Sequence, residues 1–127
     1  MVHIEESVTC RAPAVEVWKL LHDPARFTEW WAGVSRVETT ADGATLYPDG
    51  QSASPTRVTA GRDGRQVVIS CLMTDDVYIW TLEPHPDGCR ITVRVEVADG
   101  DAERLSQRHA GVLDSLPRLA AAAEKAG

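Results

Sequence analysis

Apolar and polar residues alternate through the second half of the chain, in the stretches QVVISCLMT (66–74), VYIWTL (77–82) and CRITVRVEV (89–97). Period-two alternation in runs rich in β-branched residues predicts strands with one buried face. Asp-Gly recurs at 42–43, 49–50, 63–64, 87–88 and 99–100. Glycine accepts positive φ and aspartate bonds its own backbone, so these pairs mark tight turns and the pattern reads as an antiparallel meander.

The turns also predict a register. A two-residue turn at Asp63-Gly64 sets Ala60 against Val67, Val58 against Ile69 and Thr56 against Cys71. A turn at Asp75-Asp76 sets Met73 against Tyr78, Cys71 against Trp80 and Ile69 against Leu82. Across the PHPDG loop, Leu82 meets Ile91, Trp80 meets Val93 and Tyr78 meets Val95. Opposed residues share a face. One face therefore gathers Val58, Ala60, Val67, Ile69, Cys71, Met73, Tyr78, Trp80, Leu82, Ile91, Val93, Val95 and Val97, and the other is mostly charged or hydroxylated.

The N-terminal VHIEESVTC alternates in the same way, with Val2, Ile4, Val8 and Cys10 inward and Glu6 as a polar intruder among them. Next, Pro13 opens a helix whose stripe is Ala14, Val17, Trp18 and Leu21, and Pro24 starts a second short helix running through Trp31. Residues 34–41 and 44–47 form a hairpin about Asp42-Gly43, leaving the faces of Arg36, Glu38 and Tyr47 open. A long helix follows Asp99-Gly100-Asp101, capped by one of the aspartates and bent at Pro117. Its apolar side carries Leu105, Val112, Leu113, Leu116 and Leu119, with His109 in the middle, and Gln107, Gly111, Asp114 and Arg118 project opposite.

The 127 residues suit one domain, 1–127, and 43% hydrophobic content suits a packed core. A net charge of −6 and scattered basic residues exclude a nucleic-acid surface as the first reading. No stretch is long and apolar enough to insert in a membrane, and no leader is recognisable. Three widely spaced cysteines fit free thiols in a reduced, cytoplasmic setting. The four histidines and three cysteines lack metal-ligand spacing, so neither a metal nor a cofactor is expected.

The element order, with Ala12-Pro13, Val17-Trp18, Asp23-Pro24, Trp30, Tyr78-Ile79-Trp80-Thr81-Leu82 and the long last helix, resembles the polyketide cyclase/dehydrase and lipid-transport family. These are the START-like, Bet v 1-like proteins of the SRPBCC superfamily. The resemblance implies an α+β helix-grip fold. A seven-stranded curved antiparallel sheet, with two short helices after its first strand, wraps the long C-terminal helix and leaves a cavity beneath it. It also implies a small apolar or aromatic ligand and a place in bacterial secondary metabolism. Some members close aromatic rings with loss of water, others only carry ligands, and others bind protein partners. The chain fits a monomer or a homodimer equally well.

Under the cyclase reading, His109 removes a proton α to a carbonyl, Tyr78 steadies the enolate oxygen, and Glu6 orients or re-protonates His109. The remaining ligand wall is drawn from Trp31, Thr56, Val58, Cys71, Met73, Trp80, Val93, Val112, Leu113 and Leu116. Blander roles stand beside these. His109 is also compatible with a structural hydrogen bond, Glu6 with a rim carboxylate, Tyr78 and Trp80 with core filling, and Cys71 with an inert buried thiol. Trp30 and Trp31, being adjacent, are expected to point to different sides, with Trp30 packed and Trp31 near a cavity entrance. Aromatase/cyclases of the family place an arginine in the pocket. Here Arg57, Arg90 and Arg94 fall on the outer face and only Arg36 is ambiguous, which implies a smaller cavity or a different chemistry. A carrier without catalysis, and an interaction module with a filled cavity, are the competing functions.

Overall fold

A computed structural model describes residues 2–50 and 52–126. Seven strands, β1 (Val2–Cys10), β2 (Val34–Thr39), β3 (Gly43–Pro48), β4 (Ser54–Ala60), β5 (Gln66–Cys71), β6 (Val77–His85) and β7 (Gly88–Val97), form one antiparallel sheet. Its order is β1-β7-β6-β5-β4-β3-β2, a meander whose first strand closes against its last. Helix α1 (Ala14–His22) and a 3₁₀ helix (Pro24–Glu29) link β1 to β2, and helix α2 (Ala102–Ala126) packs on the sheet. This is the helix-grip architecture expected from the sequence.

The predicted pairings hold in two of the three hairpins tested. Ala60 faces Val67, Val58 faces Ile69 and Thr56 faces Cys71; Leu82 faces Ile91, Trp80 faces Val93 and Tyr78 faces Val95. Between β5 and β6 the register differs. Trp80 faces Val67 rather than Cys71, four residues away along β5, and Tyr78 faces Ile69. The cause is the connection. Asp75-Asp76 lacks the glycine a two-residue hairpin turn wants, so β5 ends at Cys71 and residues 72–76 form a wider loop. That loop is closed by Asp75 N–H to Cys71 O (2.9 Å) and Cys71 N–H to Asp76 O (2.8 Å), with Asp75 itself at φ +60°. A slip by an even number leaves every side chain on its face. The inward set therefore survives, except that Met73 leaves the strand and is 69% exposed, and Ala60, at the end of β4, is exposed as well.

The core is densest where α1, the 3₁₀ helix and the C-terminal half of α2 meet β5–β7. Trp30, Trp80, Phe27, Leu20, Leu21 and Leu119 are fully buried there. Trp30 Nε1–H donates to the Leu20 carbonyl (2.9 Å), and the Trp30 and Trp80 rings meet edge-on at 5.2 Å. The 3₁₀ helix stops at Glu29, short of the expected Trp31. Trp30 then adopts φ −137°, ψ −26°, and the Trp30 and Trp31 rings stack at 5.4 Å with 12° between planes. The two therefore share a side, because the chain turns at Trp30 instead of continuing extended or helical.

Asp101 caps α2, its carboxylate accepting the Arg104 backbone N–H (3.0 Å), and the helix runs on through Pro117 as one element. It lies chiefly over β1 and β7. His109 and Glu124 pin it to the β1 side, through Glu6 and the Arg11 backbone N–H. Ser115 Oγ pins it on the other side by accepting the Ala32 backbone N–H (3.0 Å). No helix among the described residues is long and apolar enough to cross a membrane.

Candidate functional site

One flank of α2 stands off the sheet. Beneath it a cleft of about 210 Å³ is lined by Trp31, Ala32, Gly33 and Val34 after the 3₁₀ helix, Leu46 and Pro48 of β3 with Asp49 just beyond it, and Ser54 and Thr56 from β4. Ile69 and Cys71 of β5, Tyr78 of β6 and Gln107, Arg108 and Gly111 of α2 complete the wall. The space is widened because α2 presents no side chain at Gly111 to fill it. Gly111 faces the cleft, and a β-carbon built there would meet nothing within 4 Å. A mid-helix glycine costs about 1 kcal/mol relative to alanine, a cost carried here where the wall is open.

Tyr78 is the one β6 residue of the cleft wall. It is 9% exposed, and Trp31 packs edge-on against it at 5.2 Å. Its hydroxyl makes no hydrogen bond to any described residue. Burial pushes its pKa up to about 12, with the nearby Arg108 charge pulling the other way. The phenol is therefore a neutral donor across the physiological range.

Arg108 belongs to a network that holds the cleft's edge together. Asp76 is completely buried. Its carboxylate accepts Nε–H and an Nη–H of Arg104 (3.0–3.2 Å) and Nε–H of Arg108 (3.3 Å). Arg104 also reaches Asp99 (2.7 Å), and Asp76 and Asp99 hold its guanidinium still more firmly protonated than usual. With Nε engaged, the two terminal nitrogens of Arg108 carry no hydrogen bond to any described residue, while the side chain lines the cleft. Arg108 is the functional candidate that sequence reasoning missed. Its signal was legible. Arg104 and Arg108 are four apart, hence on one helix face, and Asp76 was read only as a turn residue. The one arginine left ambiguous, Arg36, points away, its guanidinium over the Tyr47 ring (3.9 Å) and paired with exposed Glu38 (3.2 Å).

The proposed acid–base pair forms, but elsewhere. His109 Nε2 and Glu6 Oε2 are 2.6 Å apart, and each side chain is 35% exposed. Neither lines the cleft. His109 follows Arg108 by one residue and so projects about 100° around the helix, over β1. The expected catalytic set is thus divided, with Tyr78 in the cleft and Glu6 and His109 at the opposite edge of α2. Of the expected ligand wall, Trp31, Thr56 and Cys71 line the cleft. Trp80, Val93, Val112 and Leu116 are buried in the solid core, and Val58 is half-buried beside it. Met73 and Leu113 are corrections. Met73 lies on the exposed loop after β5, and Leu113 is 50% exposed. The buried face of α2 is centred on Val112, Leu116, Leu119 and Ala123, which turns Leu113 outward and brings Gln107 and Gly111, expected opposite, to the cleft.

Among the described residues no three His, Cys, Asp or Glu side chains converge as a metal centre would need. The dissociable groups of the cleft wall are Asp49, Cys71, Tyr78 and Arg108.

Solved structures show the same fold. XoxI from Bacillus cereus superposes with a TM-score of 0.78 at 18% identity, over 96% of this chain and 95% of that one. DynU16, a protein in the dynemicin biosynthetic locus, gives 0.72 at 24% identity, over 96% of this chain and 47% of that one. The di-domain ARO/CYC StfQ from the steffimycin biosynthetic pathway gives 0.74 at 15% identity, over 98% of this chain and 51% of that one. At these identities the likeness is one of fold, and this chain spans about half of each of the latter two. No curated protein matches the chain in sequence. Residues 1–124 match the family described as polyketide cyclase / dehydrase and lipid transport, and the chain belongs to that family.

Proposed function

We propose that the cleft under α2 binds a small, largely apolar or aromatic molecule that carries a carbonyl, phenolate or enolate oxygen. The observation that carries this reading is that Tyr78 and Arg108 line the same cleft, and that neither the Tyr78 hydroxyl nor the terminal nitrogens of Arg108 bond any described residue. Two donors lining one cleft suit a ligand that presents a single acceptor oxygen to both. Trp31 and Tyr78 supply aromatic surface. At about 210 Å³ the cleft lies below the roughly 300–1,000 Å³ of drug-sized sites, so the ligand has one or two rings rather than a fused polycycle.

Binding without turnover is the version the geometry favours. Proton abstraction by His109 has no route into this cleft, because His109 and Glu6 engage each other on the far side of α2. The polyketide cyclase chemistry of the family would have to draw its base from Asp49 or Cys71 instead. The interaction-module reading requires a filled cavity, which this cleft is not.

The test is a titration with 4-phenylbutan-2-one, followed by tryptophan fluorescence and by NMR. We expect saturable binding that weakens about tenfold in Tyr78→Phe and in Arg108→Met, one hydrogen bond each, and that is unchanged in His109→Ala. Equal affinity in all four proteins would overturn the assignment.

A further inference from the structure

The three cysteines occupy contrasting environments. Cys10 and Cys89 are fully buried. Burial raises both thiol pKa values, that of Cys89 to about 11. Cys71 is half-buried, ends β5 and lines the cleft. Its sulfur lies 3.3 Å from Ser54 Oγ. The loop after β5 turns back at residues 72–76 and brings the polar groups of Thr74 and Met73 to the sulfur's side, where they pull its pKa down together with Ser54. Burial alone would raise this thiol, but those donors together bring it below the ordinary value.

Cys71 does not stand alone. On the face it shares with Ile69 it is the diagonal cross-strand neighbour of Tyr78, which pairs with Ile69. Tyr78 is nine-tenths buried and lines the same cleft, and its hydroxyl bonds no described residue. A nucleophilic atom and two oxygen-binding residues thus share one wall.

We infer that Cys71 is a covalent attachment site for α,β-unsaturated carbonyl compounds bound in the cleft. This rests on the cleft binding a carbonyl oxygen, as proposed above. The thiol first gives its proton to water. The sulfur then forms a bond to the β-carbon, and the C=C electron pair moves through the α-carbon onto the carbonyl oxygen. The resulting enolate oxygen is held by Tyr78 and Arg108. Water returns a proton to the α-carbon, giving a saturated thioether with no oxidant or reductant consumed. Stabilising the enolate is the step that the placement of Tyr78 and Arg108 assists.

The test uses 4-phenyl-3-buten-2-one, the unsaturated counterpart of the ketone above, with intact-mass and peptide-mapping readouts. We expect one adduct per chain, on Cys71 and not on Cys10 or Cys89, and none in Cys71→Ser. Addition should slow about tenfold in Tyr78→Phe, and excess 4-phenylbutan-2-one should slow it in the unaltered protein. The unfolded protein should label at all three cysteines, which establishes that the probe is competent. If the saturated ketone binds yet Cys71 stays unmodified, covalent capture is overturned and the binding site stands. If Cys71 is modified at a rate that neither Tyr78→Phe nor the competitor changes, the thiol is merely exposed and capture through the cleft is overturned. If the saturated ketone does not bind and no adduct forms, both readings fall.

Discussion

Arg108 and His109 are neighbours in sequence and opposites in role. Arg108 faces the hollow flank of α2, braced by buried Asp76, with two guanidinium nitrogens that bond no described residue in the cleft that Tyr78 also lines. His109 faces the closed flank, where its ring meets Glu6 at 2.6 Å and the pair ties the helix to β1. Both interrupt an apolar helix face. The comparison teaches that a polar residue in an apolar stripe does not by itself mark a cavity. At the edge of the stripe it can complete a half-exposed hydrogen bond between two elements. What marks the cleft is the absence of bulk at Gly111, beside an arginine whose position is fixed from behind.

The comparison can be broken most forcefully at Asp76. Asp76→Ala leaves two arginines beside an emptied, formerly buried position. Removing one partner of a buried pair costs ~3–5 kcal/mol. Both arginines retain some water, so we expect a loss near the lower end, ~3 kcal/mol, read from urea denaturation. Binding of 4-phenylbutan-2-one should weaken with it, since Arg108 loses its brace. A change in stability as small as that of an exposed pair would show that Asp76 does not organise the hollow flank.

The phenol on that flank gives a second, smaller effect. The Tyr78 pKa is raised from an ordinary value of about 10 to about 12 in the folded protein. Above about pH 10 the unfolded chain releases this proton while the folded chain keeps it, so the folded state binds more protons and stability falls as pH rises. The loss should reach ~2 kcal/mol by about pH 12 and cease above it. Tyr47 also titrates late, chiefly through its hydrogen bond to Glu38. The diagnostic quantity is therefore the difference between the unaltered protein and Tyr78→Phe, which should lack this part of the alkaline slope. Parallel alkaline stability curves for the two proteins would contradict a desolvated phenol.

The closed flank should respond least. Glu6 and His109 are each one-third exposed, so solvent screens the pair and its worth is under ~1 kcal/mol. His109→Ala should shift the urea midpoint slightly and leave ketone affinity alone. A large loss of affinity would return His109 to the ligand site and undo the contrast between the flanks.

Much of the fold was legible because its signals are local. Asp63-Gly64 fixed the β4–β5 register, and the alternation from Tyr78 to Val97 fixed which side chains point inward. The β5–β6 pairing was misread by four residues because Asp75-Asp76 resembles a tight turn while Asp76 is drawn into two arginines from α2. The even slip spared the inward set but moved Met73 from the cavity wall to solvent. The stacking of Trp30 on Trp31 likewise depends on how the chain turns after the 3₁₀ helix, which adjacency in sequence does not state.

Periodicity determined that this chain makes an antiparallel sheet with one apolar face, a long amphipathic helix to cover it, and one polar intruder in each apolar face, Glu6 and His109. Each of those follows from residue spacing within a single element or across one short turn. Which flank of the helix is hollow was decided only in three dimensions. That depends on where α2 comes to rest against β1, on the loops at 31–34 and 72–76, and on Asp76 pairing with arginines 28 and 32 residues away. A cavity is the space several elements fail to fill together, and no one of them carries it in its own sequence.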